Sequence, residues 1–155
     1  MTPVVLDTGV MVKVYVVEQD SSKATALLRE ASEGRYRLAA PDFMAIEFGN
    51  VLWKYVRRTV LSEEEAWQAL GDFPHDRIEW LPAHLLLKDA LRFALEYDIA
   101  VYDGAFMAGA ERLAVDLVTS DEALYRKVSN CLPWVRLLRD FDARAEVGRA
   151  NRGNP

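Results

Sequence analysis

Short apolar runs and amphipathic segments alternate along the chain. The apolar runs lie at residues 4–6, 37–40, 78–81, 99–102, 117–119 and 135–138. Such runs, rich in branched residues, are typical of strands buried on both faces of a parallel sheet. Segments with helical periodicity lie between them, at residues 10–15, 21–32, 41–59, 62–70, 83–96, 104–113 and 122–128. This order predicts an α/β fold in three layers, with a mostly parallel central sheet flanked by helices.

Two of the predicted helices carry recognisable start signals. Pro41 precedes the long segment 41–59, and the fixed φ of proline suits a first helical turn. Ser62 is followed three residues later by Glu65, the spacing of a capping box. We therefore expect helices to begin at these two positions.

The length and composition indicate one domain. With 155 residues, 51% of them hydrophobic, the chain can bury one substantial core. We expect the folded domain to cover residues 1–141 and residues 142–155, which are rich in arginine and glycine, to form a flexible tail. Because no apolar run approaches ~20 residues and no leader is recognisable, we expect a cytoplasmic protein without a membrane segment. Cys131 stands alone, which excludes an internal disulfide and a thiolate zinc cluster.

The net charge of −5 argues against a protein that covers nucleic acid with a broad basic face. It does not exclude an enzyme with a concentrated acidic site, since 19 lysines and arginines remain to contact phosphates.

Carboxylates follow three of the predicted strands. Asp7 comes after residues 4–6, Asp103 after 99–102, and Asp121 shortly after 117–119. In a parallel sheet these ends meet at one edge, where open α/β sheets bind their ligands. Each carboxylate alone could be a helix cap, and Thr119 with Glu122 also has capping-box spacing. Three carboxylates at the same edge of the sheet indicate a ligand-binding or catalytic site there.

A fourth carboxylate comes from the long helix predicted at 41–59. This helix is apolar around most of its circumference and has one polar stripe, which contains Glu47, Asn50, Lys54 and Arg57. Because so apolar a helix is expected to be mostly buried, Glu47 and Asn50 are predicted to line an internal cleft. Lys54 and Arg57 fit a solvated surface.

A cluster of these four carboxylates has an electrostatic cost. Two like charges ~5 Å apart repel by about 3 kcal/mol at an effective dielectric constant of 20. Such a cluster persists by raising its pKa values or by binding divalent cations, and oxygen ligands favour Mg²⁺ or Mn²⁺ over zinc. Metal held in this way suits phosphodiester hydrolysis.

The ordered motifs resemble those of a known family. They are Asp7-Thr8-Gly9, Glu47 with Asn50, VYDGAF from Val101 and LVTSD from Leu117, in this order within residues 4–138. Together they resemble the PIN-domain nucleases, and most closely the VapC-type toxins of prokaryotic toxin–antitoxin pairs. Gly9 and Gly104 depart from the family pattern, which more often has a small residue with a side chain there.

The resemblance implies a PIN-like fold and a metal-dependent endoribonuclease. Asp7, Glu47, Asp103 and Asp121 would be catalytic and hold one or two Mg²⁺ or Mn²⁺ ions, and cleavage of RNA would leave a 5′-phosphate and a 3′-hydroxyl. Thr8 and Thr119 would support these ligands, and Asn50 and Ser120 would lie beside ligands or substrate. Lys54 and Arg57 are a second hypothesis, as guides for the RNA backbone. The family also implies a homodimer and a small antitoxin partner.

Three other classes compete with this interpretation. A haloacid-dehalogenase-type phosphatase needs a second acid where this chain has Gly9, and a Rossmann dinucleotide binder needs more glycine than residues 5–13 offer. The remaining alternative is a catalytically inactive α/β module that acts through a protein partner, with its carboxylates serving as caps. Binding of a divalent metal at neutral pH distinguishes this module from the nuclease.

Overall fold

The computed structural model describes residues 1–145, which form five strands and seven α-helices. The strands are β1 (Thr2–Leu6), β2 (Tyr36–Pro41), β3 (Ile78–Leu81), β4 (Asp116–Thr119) and β5 (Val135–Leu137). The helices are α1 (Thr8–Tyr15), α2 (Ser21–Ser32), α3 (Met44–Arg57), α4 (Glu63–Asp72), α5 (Ala83–Tyr97), α6 (Val101–Leu113) and α7 (Glu122–Val128). Short 3₁₀ turns lie at His75–Arg77 and Leu138–Asp140.

All five strands form one parallel sheet in the order β3-β2-β1-β4-β5. This confirms the predicted fold class. The chain places β2 and β3 on one side of β1, then returns to place β4 and β5 on the other side. Because the direction reverses at β1, a crevice opens beyond the carboxyl ends of β1 and β4, the usual ligand site of such sheets.

The central strand is buried on both faces. Val4, Val5 and Leu6 are each at most 3% exposed, as expected when helices cover both faces of a parallel sheet. α6 packs across β2, β1 and β4, while α2 packs on β2, and α1 packs on α2 and β4. Right-handed crossovers put these two groups of helices on opposite faces of the sheet.

The strand predicted at residues 99–102 is wrong. Asp98 ends α5 in the left-handed conformation (φ 52°), Ala100 is extended, and α6 begins at Val101. An apolar run of four residues fits a strand or the start of a helix equally well. Asp103 therefore comes from the first turn of α6 and does not follow a strand.

The start and the burial of the long helix also differ from expectation. Pro41 is the last residue of β2, where it pairs with Leu81, and α3 begins at Met44. The expectation of a mostly buried helix is wrong as well. Ile46 and Trp53 are 79% and 57% exposed, so α3 lies at the surface and only one side of it reaches the core.

The capping box at Ser62, where α4 begins, is confirmed by both of its hydrogen bonds.

The expected tail begins with ordered residues. Ala143 is buried, and its carbonyl oxygen accepts a hydrogen bond from the Tyr36 hydroxyl at 3.0 Å. The folded part of the chain therefore reaches at least to this residue. The rest of the expected tail, residues 146–155, lies outside the described residues. No helix within residues 1–145 has both the length and the hydropathy of a membrane span.

Candidate metal centre

Asp7 combines two structural tasks at the carboxyl end of β1. Its Oδ1 accepts a hydrogen bond from the Val10 amide at 2.9 Å, which caps α1. Its Oδ2 accepts from the Thr119 hydroxyl and, at 3.2 Å, from the Ser120 amide, both at the end of β4. The capping role considered from the sequence is therefore present, and it leaves the second oxygen at the edge shared by β1 and β4.

Asp121 has a similar place beyond β4. Its Oδ1 accepts from the Leu124 amide at 2.9 Å, so Asp121 itself caps α7, in place of a capping box from Thr119. Its own amide donates to the Thr119 hydroxyl at 3.0 Å. Since this hydroxyl donates to Asp7 and accepts from Asp121, the fully buried Thr119 joins the two acidic residues.

Glu47 reaches the same edge from the first turn of α3 and is half-buried. Its Oε2 accepts a hydrogen bond from the Thr8 hydroxyl at 2.5 Å. Thr8 is the first residue of α1, directly after Asp7. Each threonine predicted to support the site thus donates to one of its carboxylates.

Asp103 completes the group from the first turn of α6. Burial, followed by the charges of Asp121, Asp7 and Glu47, raises the pKa of its carboxyl group from 3.8 to about 6. For Asp7, burial raises the pKa to about 6 against the opposing hydrogen bonds from Thr119, Val10 and Ser120. The four predicted acidic residues therefore face one another and repel, and we call them the acidic cluster.

Their spacing is open. Among residues 1–145, no group of three or more His, Cys, Asp or Glu side chains has converged to the distances of a ready metal site. The carboxylates interact electrostatically across a shared crevice and not through a tight cage.

The other predicted residues differ in their distance from this crevice. Ser120 lies against Gly9, where an added Cβ would come within 2.4 Å of the Ser120 Oγ, which accounts for glycine at this departure from the family pattern. Asn50 is exposed, and within the described chain it makes no hydrogen bond to Glu47. Lys54 and Arg57 are exposed further along α3, with the Arg57 guanidinium 5.8 Å from the centre of the Trp53 ring.

Sequence reasoning missed two groups that neighbour these carboxylates along the chain or in space. Phe43 and Tyr102 form an edge-to-face pair with ring centres 5.5 Å apart. Phe43 lies one helical turn before Glu47, and Tyr102 directly precedes Asp103, so sequence adjacency could have pointed to them. The second is Lys127, which lines a cleft of about 470 Å³ together with Asp103 and Asp121. We call this space the acidic cleft.

Comparison with known proteins agrees with this fold and this site. The family model described as PIN domain matches residues 4–129. The chain therefore belongs to the PIN-domain family. It is 35% identical over 126 residues to "Ribonuclease VapC3" of Pyrobaculum aerophilum, a match that covers 79% of this chain and 92% of the relative. The resemblance to VapC-type PIN domains that the motifs indicated is confirmed.

A solved structure supports the fold independently. The chain superimposes on the crystal structure of PAE2754 from Pyrobaculum aerophilum with a TM-score of 0.66 and 20% identity, covering 97% of this chain and 90% of the other. At this identity, the agreement concerns the arrangement of helices and strands.

Proposed function

We propose that this protein is a metal-dependent endoribonuclease and the toxin of a toxin–antitoxin pair. The observation that carries the proposal is the acidic cluster, in which burial and then the charges of Asp121, Asp7 and Glu47 raise the pKa of Asp103 to about 6. Repulsion between these carboxylates destabilises the folded protein. A cluster with this cost is expected to serve a function such as metal binding. Membership of the PIN-domain family and the name of the VapC relative point to the same activity.

The donor set of the cluster fits Mg²⁺ or Mn²⁺. It consists of carboxylate oxygens, which these hard cations prefer, and it includes no thiolate or imidazole. Its open spacing also fits Mg²⁺, which keeps several waters and needs no protein cage. When bound, the metal supplies Lewis-acid stabilisation of the phosphoryl oxygens and activation of the attacking water.

The side chains of this protein have distinct tasks in that reaction. Asp7, Glu47, Asp103 and Asp121 are the proposed metal ligands. Thr119 directs one oxygen of Asp7, while Thr8 directs one oxygen of Glu47, so both carboxylates are oriented before substrate arrives. Both oxygens of Asp7 accept hydrogen bonds, so within the described residues the carboxylate oxygens of the cluster without a hydrogen-bond donor are those of Asp103, Oε1 of Glu47 and Oδ2 of Asp121.

The alternative of an inactive binding module is not favoured. A cap needs one oxygen near a helix start, whereas Asp103 and Glu47 accept no hydrogen bond from the first turn of their own helices within the described residues. Capping therefore does not account for half of the cluster.

The decisive experiment is cleavage of transfer and ribosomal RNA by the purified protein in Mg²⁺ or Mn²⁺. We expect cleavage that is lost with a chelator and in Asp103→Asn. The matched control is Asp76→Asn, an exposed aspartate at the opposite edge of the sheet, before β3, which we expect to cleave normally. Cleavage by Asp103→Asn, or none by the wild type together with no metal binding by calorimetry, would contradict the proposal.

We also propose two protein partners, each for a different exposed apolar surface. Leu87, Leu91 and Leu95 form an exposed stripe at every fourth residue of α5, an apolar surface that can pair with itself about a two-fold axis, which suits a homodimer. The groove of about 400 Å³ between α3 and α4, lined by Trp53, Val56 and Trp67, is concave and suits a helix of the antitoxin. With RNA as its substrate, the protein would act in the cytoplasm.

A further inference from the structure

The acidic cleft extends the metal centre in one direction. Its walls are the turn between α5 and α6, with Asp98 and Ala100, and one side of α7. Asp103 and Asp121 belong to both the acidic cluster and the lining of this cleft. A phosphodiester chain that places its reactive phosphate at the acidic cluster can continue through this space.

Lys127 carries the one positive charge among the residues that line the acidic cleft. It lies four residues after Ala123, which lines the cleft as well, so both share one side of α7. Lys127 lies six positions after Asp121, about 9 Å along a helix axis. A group bound at Lys127 is therefore close to the cluster but not at the reacting phosphate.

The present partner of Lys127 leaves its ammonium group available. Lys127 Nζ donates to the backbone oxygen of Asp98 and lies 3.7 Å from the carboxylate of the same residue. That carboxylate is fully exposed, and Lys127 itself is 47% exposed. Ion pairs of this kind contribute little to stability, so a phosphate can replace the carboxylate at small cost.

We propose that Lys127 binds a phosphate of the RNA strand next to the one that is cleaved. This inference rests on the proposed ribonuclease function. A cluster of carboxylates repels the rest of the RNA backbone, so the strand needs a cation where it leaves the metal centre. Lys127 is the residue that meets this need inside the cleft, whereas Lys54 and Arg57 lie along α3 outside it.

Steady-state cleavage tests the assignment with a charge-matched control. We expect Lys127→Ala to raise KM about tenfold while kcat stays within about twofold, because a charged contact to a flanking phosphate binds substrate and transition state alike. Lys127→Arg should restore most of the loss. Arg126→Ala removes the same charge from the neighbouring position, where Arg126 pairs with Glu122 outside the cleft, and is expected to keep the wild-type KM.

Binding separates this inference from the proposed function. In an Asp103→Asn background, fluorescence anisotropy with a short labelled single-stranded RNA measures affinity without cleavage. We expect Lys127→Ala to reduce the dependence of log K on log salt by about 1, and Arg126→Ala to leave it unchanged. Equal slopes and equal KM values in the two alanine variants would overturn the role of Lys127. If the wild type still cleaves RNA, the proposed ribonuclease function stands. An inactive wild type that binds no metal would overturn the function itself.

Discussion

Thr119 is the residue on which the geometry of the acidic cluster depends most. It is fully buried, donates to the Asp7 carboxylate and accepts from the Asp121 amide. One hydroxyl thus fixes the distance between two acidic residues on neighbouring strand ends. A buried hydroxyl with both partners satisfied stabilises the fold as well as the site.

We expect Thr119→Val to lower the free energy of unfolding by about 1–3 kcal/mol, because it leaves the Asp121 amide without a partner and removes the hydroxyl donor of Asp7 Oδ2, which keeps only the Ser120 amide. Metal affinity should fall in parallel, since the Asp7 carboxylate is then oriented by two hydrogen bonds instead of three. Thr119→Ser keeps the hydroxyl and is expected to retain metal affinity with a smaller loss of stability. Urea denaturation and calorimetric titration with Mn²⁺ measure the two effects. A valine variant with unchanged affinity would contradict the orienting role.

The elements of the fold were predicted from sequence where local chemistry decides them. The capping box at Ser62 and the buried run of β1 were predictable because their signals lie within a few residues. The start of α6 was not, because residues 99–102 are apolar enough for a strand and only packing against α5 selects the helix. The exposure of α3 likewise depends on which helices cover it, and periodicity alone cannot show that.

The site was predictable to a similar degree. Asp7 and Asp121 follow from the rule that parallel strand ends share an edge. Asp103 was predicted for a wrong structural reason, since it lies in the first turn of α6 and follows no strand. The structure nevertheless places it within electrostatic reach of the other three carboxylates. Lys127 was missed because its relation to Asp103 exists only once α6 and α7 have packed on the sheet.

The crossing of α5 and α6 gives Gly104 a specific role. A Cβ at this position would lie 2.3 Å from the backbone oxygen of Ala90. Since backbone cannot move aside as a side chain can, Gly104→Ala is expected to destabilise the protein by about 1–3 kcal/mol despite the higher helix propensity of alanine. Gly49→Ala in α3, where nothing lies within 4 Å of the new Cβ, is expected to stabilise by about 0.5–1 kcal/mol. Thermal unfolding of both variants measures the contrast, and a neutral Gly104→Ala would show that the helices can separate.

At the scale of the whole molecule, the acidic cluster makes stability depend on pH. The pKa values of Asp7 and Asp103 are raised from 3.8 to about 6 in the folded state. The folded state therefore binds more protons than the unfolded state between about pH 4 and pH 6, and the contribution of both groups to the free energy of unfolding falls as the pH rises through that range. Glu30, whose pKa is lowered by Arg35, acts in the opposite direction.

The comparison of wild type with Asp7→Asn isolates this effect, because asparagine caps α1 equally well but carries no charge. In a chelator, we expect the two proteins to be similar at pH 4 and the variant to be more stable at pH 7, by about 1–3 kcal/mol. Added Mg²⁺ should stabilise the wild type and not the variant. Urea denaturation at both pH values measures this, and a variant less stable than the metal-free wild type at pH 7 would contradict the cost of the buried charge on Asp7.

The exposed leucines of α5 form the surface that we propose for the homodimer. Leu87, Leu91 and Leu95 are 58%, 48% and 78% exposed, and an apolar stripe of this length on one helix is costly to leave in water. In an isologous dimer whose two-fold axis passes near Leu91, this leucine meets its counterpart while Leu87 faces Leu95 of the partner subunit, so one Leu91→Asp substitution introduces two facing charges per dimer. We expect light scattering to show a dimer for the wild type and a monomer for Leu91→Asp. Trp67→Asp in the groove between α3 and α4 is the control and should remain dimeric. If Trp67→Asp dissociates the dimer and Leu91→Asp does not, the two apolar surfaces have exchanged roles, and the α5 stripe becomes the surface for the antitoxin.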